Sequence, residues 1–172
     1  MARADVAAAS LLDKFGVAKH PIEPKWLAEQ LGVAVVLRDM APEVSGMLLR
    51  GDGQEVIGVN QSHHGHRQRF TVAHELGHLQ LHRGRPLILD TDTRVNFRDP
   101  VSSMATDREE IEANRFAAAL LAPEVMVRAC VAETAFVTAE ELVKALSSSF
   151  DMSPQAMTYR LMSLGIISGP GG

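Results

Sequence analysis

Residues 70–82, "FTVAHELGHLQLH", place histidines at 74, 78 and 82 with Glu75 between the first two. His74 and His78, four residues apart, project from one face of a helix, where two imidazoles can grip a single ion. "HELGH" matches H-E-x-x-H, in which the intervening Glu75 points to the open side of the metal. The spacing predicts a helix over 66–83, stopped by Gly84 and Pro86. Its apolar residues form two rows, Val72, Leu76 and Leu79 on one and Phe70, Ala73, Gly77 and Leu81 on the other. A helix apolar on two sides is buried, and buried histidines need partners. Gly77, which costs about 1 kcal/mol relative to Ala inside a helix, marks a close approach of a neighbouring backbone. On a straight helix His82 lies about 6 Å further along the axis than His78, too far to share an ion. It is expected as a helix-end residue outside the site.

A third ligand must come from elsewhere, and catalytic zinc sites often use two His and one Glu. "ATDREEIEANRFAAALLAP" (105–123) holds the candidates. Thr106 followed by Glu109 forms a capping box, predicting a helix start near 107 and assigning Glu109 to it. Glu112, at helical spacing from Arg108 and Arg115, has the pattern of an ion-paired solvent face. Glu110 shares a face with Ala113, Asn114, Ala117 and Leu121, and a buried carboxylate needs a metal or a cation. Glu110 is therefore the candidate third ligand, with Glu112 as the alternative. Asn114, one turn on, is placed to accept the outer N–H of one imidazole.

Around this core the chain alternates in type. Helices are expected over 4–15 and 24–31, the latter putting Trp26, Leu27 and Leu31 in the core. Three short β-type runs follow at 33–39, 45–51 and 55–60, the last two joined through "GDG" as a hairpin. Gly46 and Gly58 within them suggest bulges or close backbone approach. Residues 84–105 show no periodicity and read as a long loop. Helices are expected again at 107–122, onward through about 132, then at 138–149 and 153–164 before "SGPGG".

The 172 residues, 46% hydrophobic, suit one packed domain with a small helical appendage. A net charge of −4 argues against a protein built mainly on nucleic-acid binding. Cys130, the single cysteine, is expected as a small buried hydrophobe. Charges at Arg3, Asp5, Asp13 and Lys14 interrupt what a signal peptide would need apolar, and no run reaches about 18 apolar residues. A cytoplasmic protein with no membrane partner is expected. The two last helices look like a helix-turn-helix. Arg160 is the sole cation of the second, too little for phosphate contacts, so packing or docking is expected rather than direct DNA binding.

The blocks "SGMLLR", "IGVN", "RQRFTVAHELGHLQLH", "EEIEANRFAAALLAP" and "SPQAMTYRLMSLGII" resemble, in order, those of the ImmA/IrrE family of zinc metallopeptidases, over roughly residues 20–167. The resemblance implies an α+β, mainly helical, thermolysin-like zincin domain over 1–132, with a three-stranded antiparallel sheet over the H-E-x-x-H helix. A helix-turn-helix-like segment (133–167) would pack on it, ahead of a flexible tail (168–172). It implies one catalytic Zn2+ held by His74, His78 and Glu110, Glu75 as the base, and Asn114 where related zincins carry an Asp. The implied substrate is a regulatory protein, a helix-turn-helix (XRE-type) repressor. Its hydrolysis would relieve repression in a stress, mobile-element or toxin–antitoxin setting. The alternative is a non-hydrolytic metal-binding regulator or toxin component acting by protein–protein binding. By the same resemblance strand 45–50 would take an extended substrate as an added strand. Tyr159 and "HHGHR" (63–67) are weak candidates for the oxyanion donor. The sensor-like domain of the IrrE branch is not expected within this chain.

Overall fold

A computed structural model describes residues 2–51, 53–82, 87–91 and 100–168. In chain order the elements are α1 (Arg3–Lys14), α2 (Pro24–Gln30), β1 (Ala34–Arg38), β2 (Val44–Gly51), β3 (Gln54–Asn60) and α3 (Gly65–Leu81). They continue with β4 (Leu87–Thr91), α4 (Pro100–Leu121), α5 (Glu124–Glu133), α6 (Ala139–Phe150) and α7 (Pro154–Ser163). The fold is α+β, as expected, but the sheet is not the expected three-stranded antiparallel one. It has four strands in the order β1-β3-β2-β4 and is mixed, with β1 parallel to β3 and β2 antiparallel to both β3 and β4.

Asn60, the last residue of "IGVN", explains much of that topology. Fully buried, it donates from Nδ2 to the carbonyls of Ala41 (3.1 Å) and Val44 (2.8 Å), and its Oδ1 accepts from Ser62 Oγ (2.7 Å). One buried side chain thus ties the backbone of the β1–β2 connection to the end of β3. The β2–β3 hairpin forms with Gly51 opposite Gln54, and the register at Gly46 opposite Val59 follows from it. β4 and the first residues of α4 occupy parts of the 84–105 stretch expected to be a loop, and 84–86 and 92–99 lie outside the described residues. Because β2 is paired on both sides along its length, it is not the free edge expected to receive a substrate strand. The outer strands of the described sheet are β1 and β4.

α3 runs beneath the sheet with an unbroken buried stretch from Thr71 to His78. Gly46 lets β2 lie against it, since a Cβ there would collide with the Thr71 methyl. The opposite side of α3 packs on α4, with Gly77 at the contact. A Cβ on Gly77 would sit 3.0 Å from Ala113 Cα and 3.1 Å from Ala113 O, the close approach expected from its sequence. α4 begins at Pro100, not near 107: a proline in the first helical position suits a helix start, and the Thr106–Glu109 pair falls inside the helix instead. Trp26 is not core as expected. It is 42% exposed and packs edge-on to Phe15.

α6 opens with the Thr138–Glu141 capping box and ends in Asp151, which takes the left-handed conformation (φ 51°). The Asp151 carboxylate binds Arg69 Nε (3.0 Å) and His66 Nε2 (3.0 Å), tying the α6–α7 turn to the start of α3. Arg160 on α7 is 4% exposed, donates to the Ala122 carbonyl (2.9 Å) and pairs with Asp5 of α1. The cation considered for phosphates therefore points inward. Half-buried Cys130 sits 3.2 Å from His20 Nε2, and burial pushes its thiol pKa up, so the thiol is a donor there rather than a thiolate. No helix of the described residues is long and apolar enough to cross a membrane.

Candidate metal centre

α3 supplies His74 and His78, 2% and 1% exposed, with ring centroids 4.7 Å apart. Because α4 closes on α3 at Gly77, Glu110, one turn earlier on α4 than Asn114, reaches both rings. Glu110 Oε2 lies 3.2 Å from His74 Nε2 and Oε1 lies 3.2 Å from His78 Nε2. The two Nε2 atoms are themselves 3.0 Å apart. Among the described residues these three form a group able to hold a metal ion, each offering one ligand atom within 4.8 Å of the others.

Hydrogen bonds at the far side of the rings decide what the group can bind. His74 Nδ1 is 3.0 Å from Asn114 Oδ1, an oxygen that only accepts. The His74 proton is therefore on Nδ1 and its Nε2 carries a lone pair toward the centre. Nitrogen lone pairs and a carboxylate converging at this distance repel unless a cation sits among them. Two imidazoles and one carboxylate, with room for a further ligand, are the donor set of a catalytic zinc site. The residues present fit the metal.

Electrostatics agree. Burial alone would raise the Glu110 carboxyl, but the facing His74 and His78 rings, whenever they carry a proton toward it, outweigh burial and hold the group well below the usual carboxylate range. Burial pushes His78 below its ordinary 6.5, against the opposing pull of Glu110. Both shifts favour the forms that bind metal, neutral imidazole and ionised carboxylate.

Glu75 is fully buried in the same helix, its carboxylate under strand β2, where a Cβ on Gly46 would come within 3.3 Å of Oε1. Asn114 is exposed rather than buried as its sequence neighbours suggested, yet its oxygen reaches His74 as expected. It also lines a cavity of about 910 Å³ between α3, α4 and α7, whose walls include His64, Phe70, Thr71, Met152 and Tyr159. Of the weak oxyanion candidates, Tyr159 is 63% exposed on this wall, and His64 caps the start of α3 by accepting from His66 N.

The last turn of α3 is held by two arginines from other elements. Arg50 of β2 donates to the His78 carbonyl (3.0 Å) and Arg3 of α1 to the Leu81 carbonyl (2.9 Å). Cations at helix C-termini satisfy the open carbonyls and complement the dipole.

Two residues were set aside on sequence grounds and belong nearby. His82, 7% exposed at the C-cap of α3, has Nδ1 3.1 Å from His78 Nδ1. Its Nε2 is 3.1 Å from Glu112 Oε2. Glu112 also faces Arg108 (3.5 Å), as expected, and Arg3 (3.6 Å), whereas Arg115 turns to Asp5 (2.8 Å). The His82 hydrogen bond holds the Glu112 carboxyl below its ordinary range. His82 is not among the three residues that together could hold an ion, but it is in contact with one of them, His78.

Comparison with known proteins agrees with this geometry. Over 106 residues the chain is 29% identical to "Uncharacterized immunity region protein 2" of Bacillus phage phi105, covering 60% of this chain and 61% of that protein. Its fold is similar to that of a Mycobacterium tuberculosis transcriptional regulator, with a TM-score of 0.58 and 21% identity, covering 99% of this chain and 49% of that one. The chain thus spans about three-fifths of the first relative and about half of the second. The model of the M78 peptidase family, described as the IrrE N-terminal-like domain, matches residues 28–162, and with H-E-x-x-H and the downstream glutamate in place the chain belongs to that family.

Proposed function

We propose that this chain is a zinc-dependent endopeptidase that hydrolyses a peptide bond in a regulatory protein, a helix-turn-helix repressor, and so relieves repression. The observation that carries this is the convergence of His74, His78 and Glu110 on one point, with Glu75 buried on the same helix as the two histidines. Family membership supports the peptidase class. The printed name of the phage relative, an immunity region protein, favours a mobile-element setting.

In this reading His74, His78 and Glu110 hold the metal. When bound, zinc supplies Lewis acidity and lowers the pKa of water toward about 7. Glu75 takes a proton from the attacking water at its carboxylate and passes it to the leaving amine. Asn114 holds His74 in the tautomer that keeps its lone pair inward. Burial within α3 shields the Glu75 carboxylate from bulk water, which strengthens its interactions. The cavity walled by Phe70, Met152 and Tyr159 is also lined by Asn114, and in this reading it takes a side chain of the protein substrate.

A repression assay tests the proposal. Where an adjacent gene encodes a helix-turn-helix repressor, that repressor is expressed with a reporter placed under its operator, and the wild-type chain or its Glu75→Gln variant is supplied in the same cells. Wild type is expected to switch the reporter on and Glu75→Gln to leave it off. If both relieve repression equally, the chain acts by binding and the peptidase assignment fails.

A further inference from the structure

His82 and Glu112 lie outside the metal-donor set, yet they continue it in a connected series of hydrogen-bonding atoms. If His78 gives its Nε2 lone pair to a metal, its single proton is on Nδ1. The atom facing that proton is His82 Nδ1, 3.1 Å away in a position 7% exposed. A nitrogen that accepts there has its own proton on the opposite nitrogen, Nε2. That nitrogen faces Glu112 Oε2 at 3.1 Å, and a carboxylate accepts it. Each atom in the series thus has one role compatible with its neighbours. The reverse direction, His82 Nδ1–H toward His78 Nδ1, would move the His78 proton to Nε2, into the space the metal needs.

We propose that His82 and Glu112 are positioning residues that fix the tautomer and ring orientation of His78 as a metal ligand, through the series His78 Nδ1–H to His82 Nδ1 and His82 Nε2–H to Glu112 Oε2. The inference rests on His78 being a ligand. It gives the two histidines different kinds of support: Asn114 faces His74, whereas a shielded imidazole backed by a carboxylate faces His78. The fold braces the second arrangement from three sides. The His82 backbone N–H donates to the His78 carbonyl (2.9 Å), leaving the His82 ring to turn back toward His78 as the chain exits the helix. Arg3 binds both the Leu81 carbonyl and, at 3.6 Å, Glu112 Oε2, so α1 clamps the end of α3 to α4 at this point. Arg108, one turn before Glu112, adds a second cation to the carboxylate.

Zinc affinity measured by competition with a chromogenic chelator, together with the visible spectrum of the cobalt(II) form, tests this without reference to activity. His82→Phe, which keeps a ring but cannot accept, is expected to weaken zinc binding about 10–100-fold and to alter the cobalt spectrum. His82→Gln, whose amide oxygen accepts, recovers most of the affinity. Glu112→Ala weakens binding, whereas Glu112→Gln, still an acceptor, stays near wild type. Circular dichroism of the metal-free variants shows which are folded. Should His82→Phe not fold, the contrast between Glu112→Ala and Glu112→Gln decides: a loss restored by Gln supports the relay, and wild-type affinity in both overturns it. Wild-type affinity and spectrum in a folded His82→Phe, with zinc lost in His78→Ala, overturns the relay and leaves the metal site standing. If wild type takes up no zinc, or His78→Ala binds as well as wild type, the metal-site assignment itself falls and the relay with it.

Discussion

His78 and Glu110 give the metal-free protein a defined response to acid. Burial lowers the His78 pKa, so the folded chain holds it neutral where the unfolded chain would protonate it. That contribution is present above pH 6.5 and is lost as pH falls below it. Glu110 is depressed by its histidine neighbours despite burial, so its contribution is present above 4.5 and lost below. Urea unfolding of metal-free protein between about pH 8 and pH 4 is therefore expected to show stability falling from 6.5 downward. His78→Asn should flatten the upper part of that slope; a flat wild-type profile would contradict it. At this scale the sequence was informative wherever one helix sufficed. The i, i+4 spacing selected His74 and His78, and face-sharing with Ala113 and Ala117 selected Glu110 over its neighbours. His82 and Glu112 were not legible because their roles depend on the axial offset between α3 and α4, which neither helix encodes alone. Asn114 was legible by reach and misjudged in burial, since the cavity beside α7 opens its side to solvent.

Between elements, the α3–α4 contact sets the metal geometry, and Gly77 sets the contact. Gly77→Ala gains about 1 kcal/mol of helix propensity. The new methyl meets Ala113 backbone at 3.0 Å, where no side chain can swing away, and such overpacking costs about 1–3 kcal/mol. The clash wins: thermal unfolding is expected at a lower temperature, and zinc affinity drops because Glu110 is pushed from the histidines. A variant as stable and as zinc-avid as wild type would show the contact to be slack. The sequence signalled this contact through a glycine that a helix would otherwise avoid. It did not signal the sheet order. β1, β2 and β3 were each recognisable by residue type, but the parallel placement of β1 beside β3 follows from Asn60 bridging to the β1–β2 connection, a long-range contact with no local pattern. β4 is five residues long and follows Pro86, too short for its alternation to stand out.

Across the whole molecule, α1, α4 and α7 meet at Asp5. Its carboxylate pairs with Arg115 Nε (2.8 Å) and with Arg160 Nη1 (3.4 Å), while burial pulls the Arg160 pKa down and Asp5 pulls it back up. Removing Asp5 leaves a 4%-exposed guanidinium with the Ala122 carbonyl as its remaining hydrogen bond among the described residues. Asp5→Ala is expected to cost about 3 kcal/mol, as breaking a buried pair does, or about 6–12 °C in Tm for a chain of this size. Loss of under about 1 kcal/mol would mean that the N-terminal helix is not tied to the C-terminal pair through this contact. The helix-turn-helix-like spacing of the last two helices was legible because helix and turn lengths are local, whereas the inward turn of Arg160 was not, because it is fixed by a residue at the other end of the chain. The α+β class was legible because the helical and β-type stretches are separated along the chain. The central claim, that the two-helix site hydrolyses a peptide bond, is tested most directly by intact-mass spectrometry of a helix-turn-helix repressor that the wild-type chain relieves in the reporter assay, after incubation with zinc-loaded wild type or Glu75→Gln at equal metal content. Wild type should yield two fragments whose masses sum to the repressor plus one water, with Glu75→Gln slower by about 100–10,000-fold; an intact repressor with wild type, or equal cleavage by both, would contradict it.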